Sequence, residues 1–310
     1  MVETTEIKEM LLSLGCEVRE SVLMRDYTTL RIGGRADLMV LPETSEMLID
    51  VVEGLDSEGM PFIVLGGGSN VLVLDSGIRE VVIRLDRLNR IDVIEQSTEE
   101  GLLYVQSGRR LQGLLYYLQS RGLSGLEGLT GIPGTVGGAL VGNAGAYGYE
   151  MMEVVEAVKV IRKEGVEIIG REQIPYGYRE GGLGDARVVL GALIRLQKDS
   201  PQRVKERMQQ FALQKRQKQP ITEHSAGCVF KNPPGQSAGR MIDEAGCKGM
   251  RRGDIEVSSV HANFFINKGR GTAEDFLALM DEVRERVFRR FSVELEPEIK
   301  IIGSSKKTKH

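Results

Sequence analysis

Two glycine-rich tracts limit what this chain can fold into. They are Gly66-Gly-Gly-Ser-Asn70 and Thr130–Gly148, in a protein with 38 glycines among 310 residues. That is about 12%, against a usual value near 7%. There is no Gly-X-Y period, so a collagen-like rod is excluded. Short glycine runs in a globular chain mark backbone that lies close to a ligand or to other backbone. The first tract lies between two apolar runs that read as strands, Pro61–Leu65 and Val71–Leu74. A phosphate loop or a Rossmann turn needs a helix directly after its glycines, so that the helix N-terminus meets phosphate. A strand follows here, and no Lys-Ser/Thr pair, so both readings fail. What remains is a tight turn whose free N–H groups, with Ser69 and Asn70, suit an anion without a helix dipole. In the second tract Gly134, Gly138 and Gly142 recur every four residues, which would leave one bare stripe on a helix. Each glycine inside a helix costs roughly 0.5–1 kcal/mol. A flat ligand on the stripe, or tight helix–strand packing, would account for it. Together the tracts favour a dinucleotide held mainly by backbone.

The rest of the chain alternates helical and strand patterns. Helices are expected over 3–14, over 45–58 behind a Thr44 or Ser45 cap, and from Leu111 to Gly122. Strands are expected at Val81–Leu85, Leu102–Gln106, Val154–Arg162 and Val188–Leu196. Ser200-Pro201 opens a long helix, proline being suited to the first helical position. Its charge run Lys205–Lys218 reads as a solvated face. Ser237–Ala245 reads as a short helix. Thr272 and Asp275 form a capping box before Phe276, Leu279, Val283 and Val287. A strand Val293–Ile302 closes the pattern. These elements predict a mixed α/β (α+β) chain with a domain boundary at Ser200-Pro201 and a disordered basic tail at 304–310.

Composition narrows the function. Lys+Arg 41 against Asp+Glu 44 leaves a net charge of −3, so no global positive field draws the chain to nucleic acid. No apolar run approaches the ~20 residues of a membrane span. The start, Met1-Val-Glu-Thr-Thr-Glu, is polar and acidic and does not read as a signal peptide. Three cysteines at wide spacing, Cys16, Cys228 and Cys247, give neither a disulfide framework nor a zinc pattern. A cytoplasmic protein acting on small molecules is expected, with no metal, no membrane insertion and no obligate protein partner.

Longer motifs narrow it further. Leu65-Gly-Gly-Gly-Ser-Asn-Val-Leu72, Gly131-Ile-Pro-Gly-Thr-Val-Gly-Gly138, Asn143-Ala-Gly-Ala-Tyr147, Ala226-Gly-Cys-Val-Phe-Lys-Asn-Pro233 and Leu295-Glu-Pro-Glu298 occur in that order. The chain thereby resembles the UDP-N-acetylenolpyruvoylglucosamine reductases, flavoenzymes of peptidoglycan synthesis, over roughly residues 5–303. The resemblance implies a two-lobed FAD-binding region of the vanillyl-alcohol-oxidase type, with lobes at 1–95 and 96–200, then a C-terminal substrate domain at 201–303. It implies FAD, NADPH as hydride donor, and UDP-N-acetylglucosamine enolpyruvate as substrate. Tyr178-Arg-Glu-Gly-Gly182 runs almost directly into Val188–Leu196, which matches the short type without a tyrosine loop.

Residue roles follow from the same motifs. The cofactor residues implied are Gly66, Gly67, Gly68, Ser69, Asn70, Thr130, Gly131, Gly134, Gly138 and Asn143. Neither tract holds a His or Cys to tether flavin, so FAD is expected to be dissociable. Reducing an enolpyruvyl C=C needs hydride at one carbon, a proton at the other, and stabilisation of the enolate between those events. Arg179, in Pro175-Tyr-Gly-Tyr-Arg179, matches the enolate-stabilising arginine, and Glu298 the second glutamate of the Leu-Glu-x-Glu motif. Alternation along a strand would put Glu296 on the same face as Glu298, so spacing alone does not separate them. Cys228 stands where many members carry the proton-donating serine. Lys218 and Asn232 match the diphosphate contacts. Rival readings are another oxidoreductase on the same flavin fold, or a nucleotide-binding module without catalysis.

Overall fold

The computed structural model describes residues 4–303; the tail expected to be disordered lies outside the described residues. The elements in chain order are α1 (Thr4–Ser13), β1 (Glu17–Leu23), β2 (Arg35–Leu41), α2 (Ser45–Ser57), β3 (Phe62–Leu65), β4 (Val71–Val73), β5 (Val81–Arg84), β6 (Ile91–Gln96), β7 (Glu100–Gln106) and α3 (Leu111–Arg121). Then come β8 (Leu123–Ser124), α4 (Val136–Val141), β9 (Gly145–Ala146), β10 (Tyr149–Glu150), β11 (Val155–Arg162), β12 (Gly165–Gly170), β13 (Val188–Lys198) and α5 (Pro201–Lys218). The chain continues through α6 (Ala238–Glu244), β14 (Arg251–Arg252), β15 (Ile255–Val257), β16 (Phe265–Asn267), α7 (Ala273–Phe291) and β17 (Lys300–Ile302).

Local chemistry explains the helix ends. Thr44 is extended, and its hydroxyl accepts the Met47 N–H at 3.1 Å, which caps α2. Gly122 ends α3 in the left-handed conformation. The Thr272/Asp275 capping box opens α7, and the Asp75 carboxylate also accepts the N–H groups of Ala273 and Glu274 at 3.0 and 3.1 Å. This helix buries Phe276, Leu279, Met280, Val283 and Val287, each stabilising by roughly 1.5–3 kcal/mol.

The chain divides into two compact units, each made of three separate segments. The first takes the N-terminal stretch to Val18, Val40–Gly67 and Ile83–Lys215. Its main sheet runs β12-β11-β13-β7-β6, every pair antiparallel. Leu103, Val105, Leu114, Val158, Ile194 and Val204 are among its core. The second takes Arg19–Met39, Gly68–Val82 and the chain from Arg216 onward. Its core gathers Leu30, Leu72, Phe230, Phe265, Phe276 and Leu295, and β17 pairs parallel with β4. A further sheet has the order β1-β2-β5-β3. Among the described residues, no helix is long and apolar enough to cross a membrane.

The expected strand Val293–Ile302 is corrected. Only Lys300–Ile302 forms a strand. Pro297 has no N–H to give to a ladder, and it meets Phe230 through an isolated bridge. Leu295 and Ile299 are buried while Glu294 and Glu296 are exposed.

Candidate active site

The two glycine tracts meet in space within the first unit. A Cβ on Gly67 would stand 2.5 Å from Gly134 Cα, and one on Gly66 would stand 2.6 Å from Thr135 Oγ1. Only hydrogen fits between them. Backbone bonds join the second tract to the β7–α3 turn: Leu111 N–H to Gly134 O, Val136 N–H to Arg109 O, and Gly137 N–H to Ser107 O, at 2.9–3.0 Å. The expected four-residue stripe is therefore not a helical one. Helix α4 spans only Val136–Val141, with Thr135 as its N-cap and Gly142 as its C-cap. Gly134 precedes it at φ +121°. Gly138 alone lies inside, and it is exposed. A Cβ there would touch nothing nearer than Thr135 Oγ1 at 3.7 Å. A flat cofactor laid over Gly138 occupies room that a side chain would fill, so these loops fit a flavin nucleotide.

Beside this cradle, Thr130 is buried, and Gly131 takes φ +81°. Lys215 of α5 reaches the same turn. Its Nζ donates to Thr130 O at 2.7 Å and lies 5.6 Å from the Tyr147 ring centroid. Phe211, one turn earlier on α5, stacks on Tyr147 at 5.0 Å and meets Tyr149 edge-on at 5.6 Å. The charge run was expected to be solvated, yet Lys215 is only 3% exposed. The reason is spacing: Val204, Met208, Phe211 and Lys215 share one helix face. Burial pulls the ammonium pKa from 10.5 down to about 8, and the neighbouring Arg179 charge adds to the shift.

Arg179 sits on a tight turn in which Gly177 and Glu180 exchange two backbone hydrogen bonds, at 2.9 and 3.1 Å. Its Nη1 donates to Gly145 O at 3.2 Å. Asn143, expected to touch the cofactor, is fully buried. Its amide bonds Glu150, Gly177 and the Met152 N–H.

The second unit brings Cys228 and Glu298 onto neighbouring backbone. Cys228 is half-buried and bridges to Phe264, and Val229 gives its N–H to Asn263 O at 2.8 Å. The Glu298 N–H bonds Val229 O at 2.8 Å, one residue beyond Cys228. Asn70 Nδ2 donates to Glu298 O at 3.2 Å. The two glutamates that spacing left equivalent are thereby distinguished. Glu296 is exposed and pairs with Lys231 at 2.5 Å, whereas Glu298 is half-buried. Gly68, at φ +64°, accepts the Thr29 N–H at 3.0 Å. Lys218, the last residue of α5, is exposed, and Asn232 Oδ1 accepts the Ala238 N–H at the start of α6 at 3.0 Å. Cys16 and Cys247 are buried, and burial is the main cause raising both thiol pKa values. Besides Lys215, sequence reasoning missed Asn263, whose buried amide bonds both the N–H and the carbonyl of Phe230, at 3.0 and 2.8 Å. An isolated asparagine carries no sequence signal for that role.

Comparison with known proteins agrees with this geometry. Residues 36–169 match the family described as FAD binding domain, and residues 219–302 match UDP-N-acetylenolpyruvoylglucosamine reductase, C-terminal domain. A Rubrobacter xylanophilus protein named UDP-N-acetylenolpyruvoylglucosamine reductase is 45% identical over 282 residues, covering 90% of this chain and 93% of the relative. A Geobacillus kaustophilus protein of the same name is 40% identical over 282 residues, covering 90% and 91%. The crystal structure of the Thermus caldophilus reductase aligns with a TM-score of 0.79 at 39% identity, over 92% of this chain and 98% of that one. An alkyldihydroxyacetonephosphate synthase, 17% identical with a TM-score of 0.50 over 64% of this chain and 41% of its own, shares the fold alone. The architecture is thus mixed α/β, with an FAD-binding domain over 36–169 and the reductase C-terminal domain over 219–302. On relatives of this identity along nine-tenths of its length, the chain belongs to the UDP-N-acetylenolpyruvoylglucosamine reductase family and is an FAD-dependent oxidoreductase.

Proposed function

We propose that this protein reduces the enolpyruvyl group of UDP-N-acetylglucosamine enolpyruvate to the lactyl ether of UDP-N-acetylmuramate, in the cytoplasm, with NADPH as hydride donor. The observation that carries the reading is the pairing of Glu298 with Val229. It brings the Glu298 backbone beside the thiol-bearing segment, in a chain whose relatives bear the reductase name.

Gly66, Gly67, Gly134 and Gly138 form the cradle for FAD, with Thr130 and Gly131 at its side, and Gly68, Ser69 and Asn70 complete the first loop. FAD held there without a covalent tether would supply two-electron chemistry between NADPH and the enolpyruvyl group. The protein does the rest. Arg179 stabilises the enolate that develops on the substrate carboxylate, where a preorganised cation gives the largest gain. Glu298 shares a proton with the developing enol. The Cys228 thiol gives a proton to the α-carbon, closing the C=C reduction, and takes one back from water. With an ordinary pKa near 8.5, a thiol releases that proton far more readily than a serine hydroxyl. Lys218 and Asn232 hold the diphosphate. The buried Lys215 ammonium adds positive charge near Arg179, which favours an anionic substrate.

An anaerobic titration tests the reading. NADPH is expected to bleach the flavin absorbance fully, and the enolpyruvyl sugar nucleotide to restore it, while simple 2-hydroxy acids leave it bleached. Purified protein that cannot take up FAD, or reduced enzyme that ignores the enolpyruvyl substrate, would overturn it.

A further inference from the structure

We infer that Asn143 is the positioning residue for Arg179, the side chain that fixes the turn on which the guanidinium is carried. The inference rests on the catalytic reading of Arg179 given above. Arg179 is the third residue of the turn Gly177-Tyr178-Arg179-Glu180, at φ +58°. Gly or Asn normally fills such a left-handed turn position. An arginine held there persists only where its surroundings fix the backbone.

Those surroundings come from the residues that end α4. Gly177 O already accepts the Glu180 N–H, and it accepts a second bond from Asn143 Nδ2 at 2.8 Å. On the other side of the turn, Gly181 N–H donates to Val141 O at 3.1 Å, and a Cβ on Gly181 would overlap the Leu140 carbonyl. Both feet of the turn are therefore tied to one short stretch. The head group is tied there too, since Arg179 Nη1 donates to Gly145 O, two residues past Asn143.

Asn143 is built to hold this position. It takes φ +39° and has no exposed surface. Its second Nδ2 proton goes to Glu150 Oε2 at 2.7 Å, and Oδ1 accepts the Met152 N–H at 3.1 Å. Two acceptors on the nitrogen and one donor on the oxygen fix the orientation of the amide. The Glu150 side chain thus holds one of the two Nδ2 protons, and the Gly177 carbonyl the other. With both N–H donors and the oxygen occupied inside the protein, this side chain serves the scaffold of the Arg179 turn rather than the cofactor.

The test is Asn143→Gly in the holoenzyme. Glycine keeps the positive φ without strain and removes only the amide. FAD content and flavin reduction by NADPH are expected to stay within about twofold of wild type, while reoxidation by the enolpyruvyl substrate slows roughly 10–100-fold, the usual effect of displacing a catalytic group by about 1 Å. Amide exchange in residues 174–184 is expected to quicken. In an Arg179→Ala background, Asn143→Gly should slow reoxidation less than about twofold further, because the group it positions is gone. Asn143→Ser, which keeps an acceptor for Met152 and a single donor, is the second variant and is expected to fall between. Loss of FAD, equal slowing of both half-reactions, or full additivity with Arg179→Ala would overturn the inference. An impaired Arg179→Ala beside an unimpaired Asn143→Gly overturns it alone. An Arg179→Ala enzyme with wild-type reoxidation overturns the reading of Arg179 itself.

Discussion

Replacing Lys215 by methionine should stabilise the protein at neutral pH, although it removes a hydrogen bond. The Lys215 amine is buried against Thr130 and Tyr147, and its folded pKa is about 8 against 10.5 when free. A difference of about 2.5 pKa units corresponds to roughly 3 kcal/mol of penalty for the charged form. The penalty is fully present below pH 8, where both states are protonated. Between about pH 8 and 10.5 the unfolded chain binds the proton and the folded chain does not, so wild-type stability rises with pH by up to ~1.4 kcal/mol per unit. Methionine fills much the same space without charge but leaves Thr130 O without its partner, at a cost of about 1 kcal/mol. The net expectation is a variant more stable by roughly 2 kcal/mol at pH 7, with the advantage gone and reversed by about 1 kcal/mol near pH 10.5. Urea titrations of both proteins across that pH range, compared by difference so that shared titrations cancel, measure it. Parallel stability curves for the two proteins from pH 7 to 10 would refute the burial argument.

Gly138→Val should give a folded protein that loses FAD, read by flavin absorbance and circular dichroism. Gly67→Val should fail earlier, in solubility or melting temperature, because its side chain meets Gly134. Glu298→Gln is expected to leave flavin reduction by NADPH nearly intact and to slow reoxidation by substrate, by up to the order of 10²–10³ found when one preorganised stabiliser is lost; equal slowing of both steps in stopped flow would assign it a structural role instead. Cys228→Ala should lose most turnover with substrate yet still accept hydride, whereas Cys228→Ser should stay active. Iodoacetamide should inactivate the wild type and spare Cys228→Ser, since Cys16 and Cys247 are buried with raised thiol pKa values; a fully active Cys228→Ala would move the proton source elsewhere.

The parts of this fold that were legible in the sequence are those governed by local rules. The Thr44 cap, the Gly122 terminus and the Thr272/Asp275 capping box each require chemistry within four residues, and each lies where the pattern placed it. Arg179, Cys228 and Glu298 were singled out because they stand in long motifs. What the sequence did not show is set by partners distant along the chain. β1, β6 and β12 are largely exposed or half-buried and pair with neighbouring strands. Lys215 is buried because its helix face is, and a count of charges along α5 hides that. Glu296 and Glu298 alternate correctly for one face, but this segment makes only an isolated bridge, at Pro297, rather than a strand. That Gly67 needs to be bare because of Gly134 is visible only once the two tracts meet.

The segmented construction of the second unit has a consequence for biosynthesis. Leu30, Ile32 and Leu72 belong to its core, yet most of their partners lie beyond Arg216, and β17, the strand that pairs with β4, comes near the end. At roughly 5–20 residues per second, translation from Lys215 to Ile302 takes on the order of ten seconds. The first unit has all its segments by Lys215 and can close while the ribosome is still working. Leu30, Ile32 and Leu72 must wait throughout that interval for the later part of their core. That wait lengthens with the time the ribosome spends between 216 and 302.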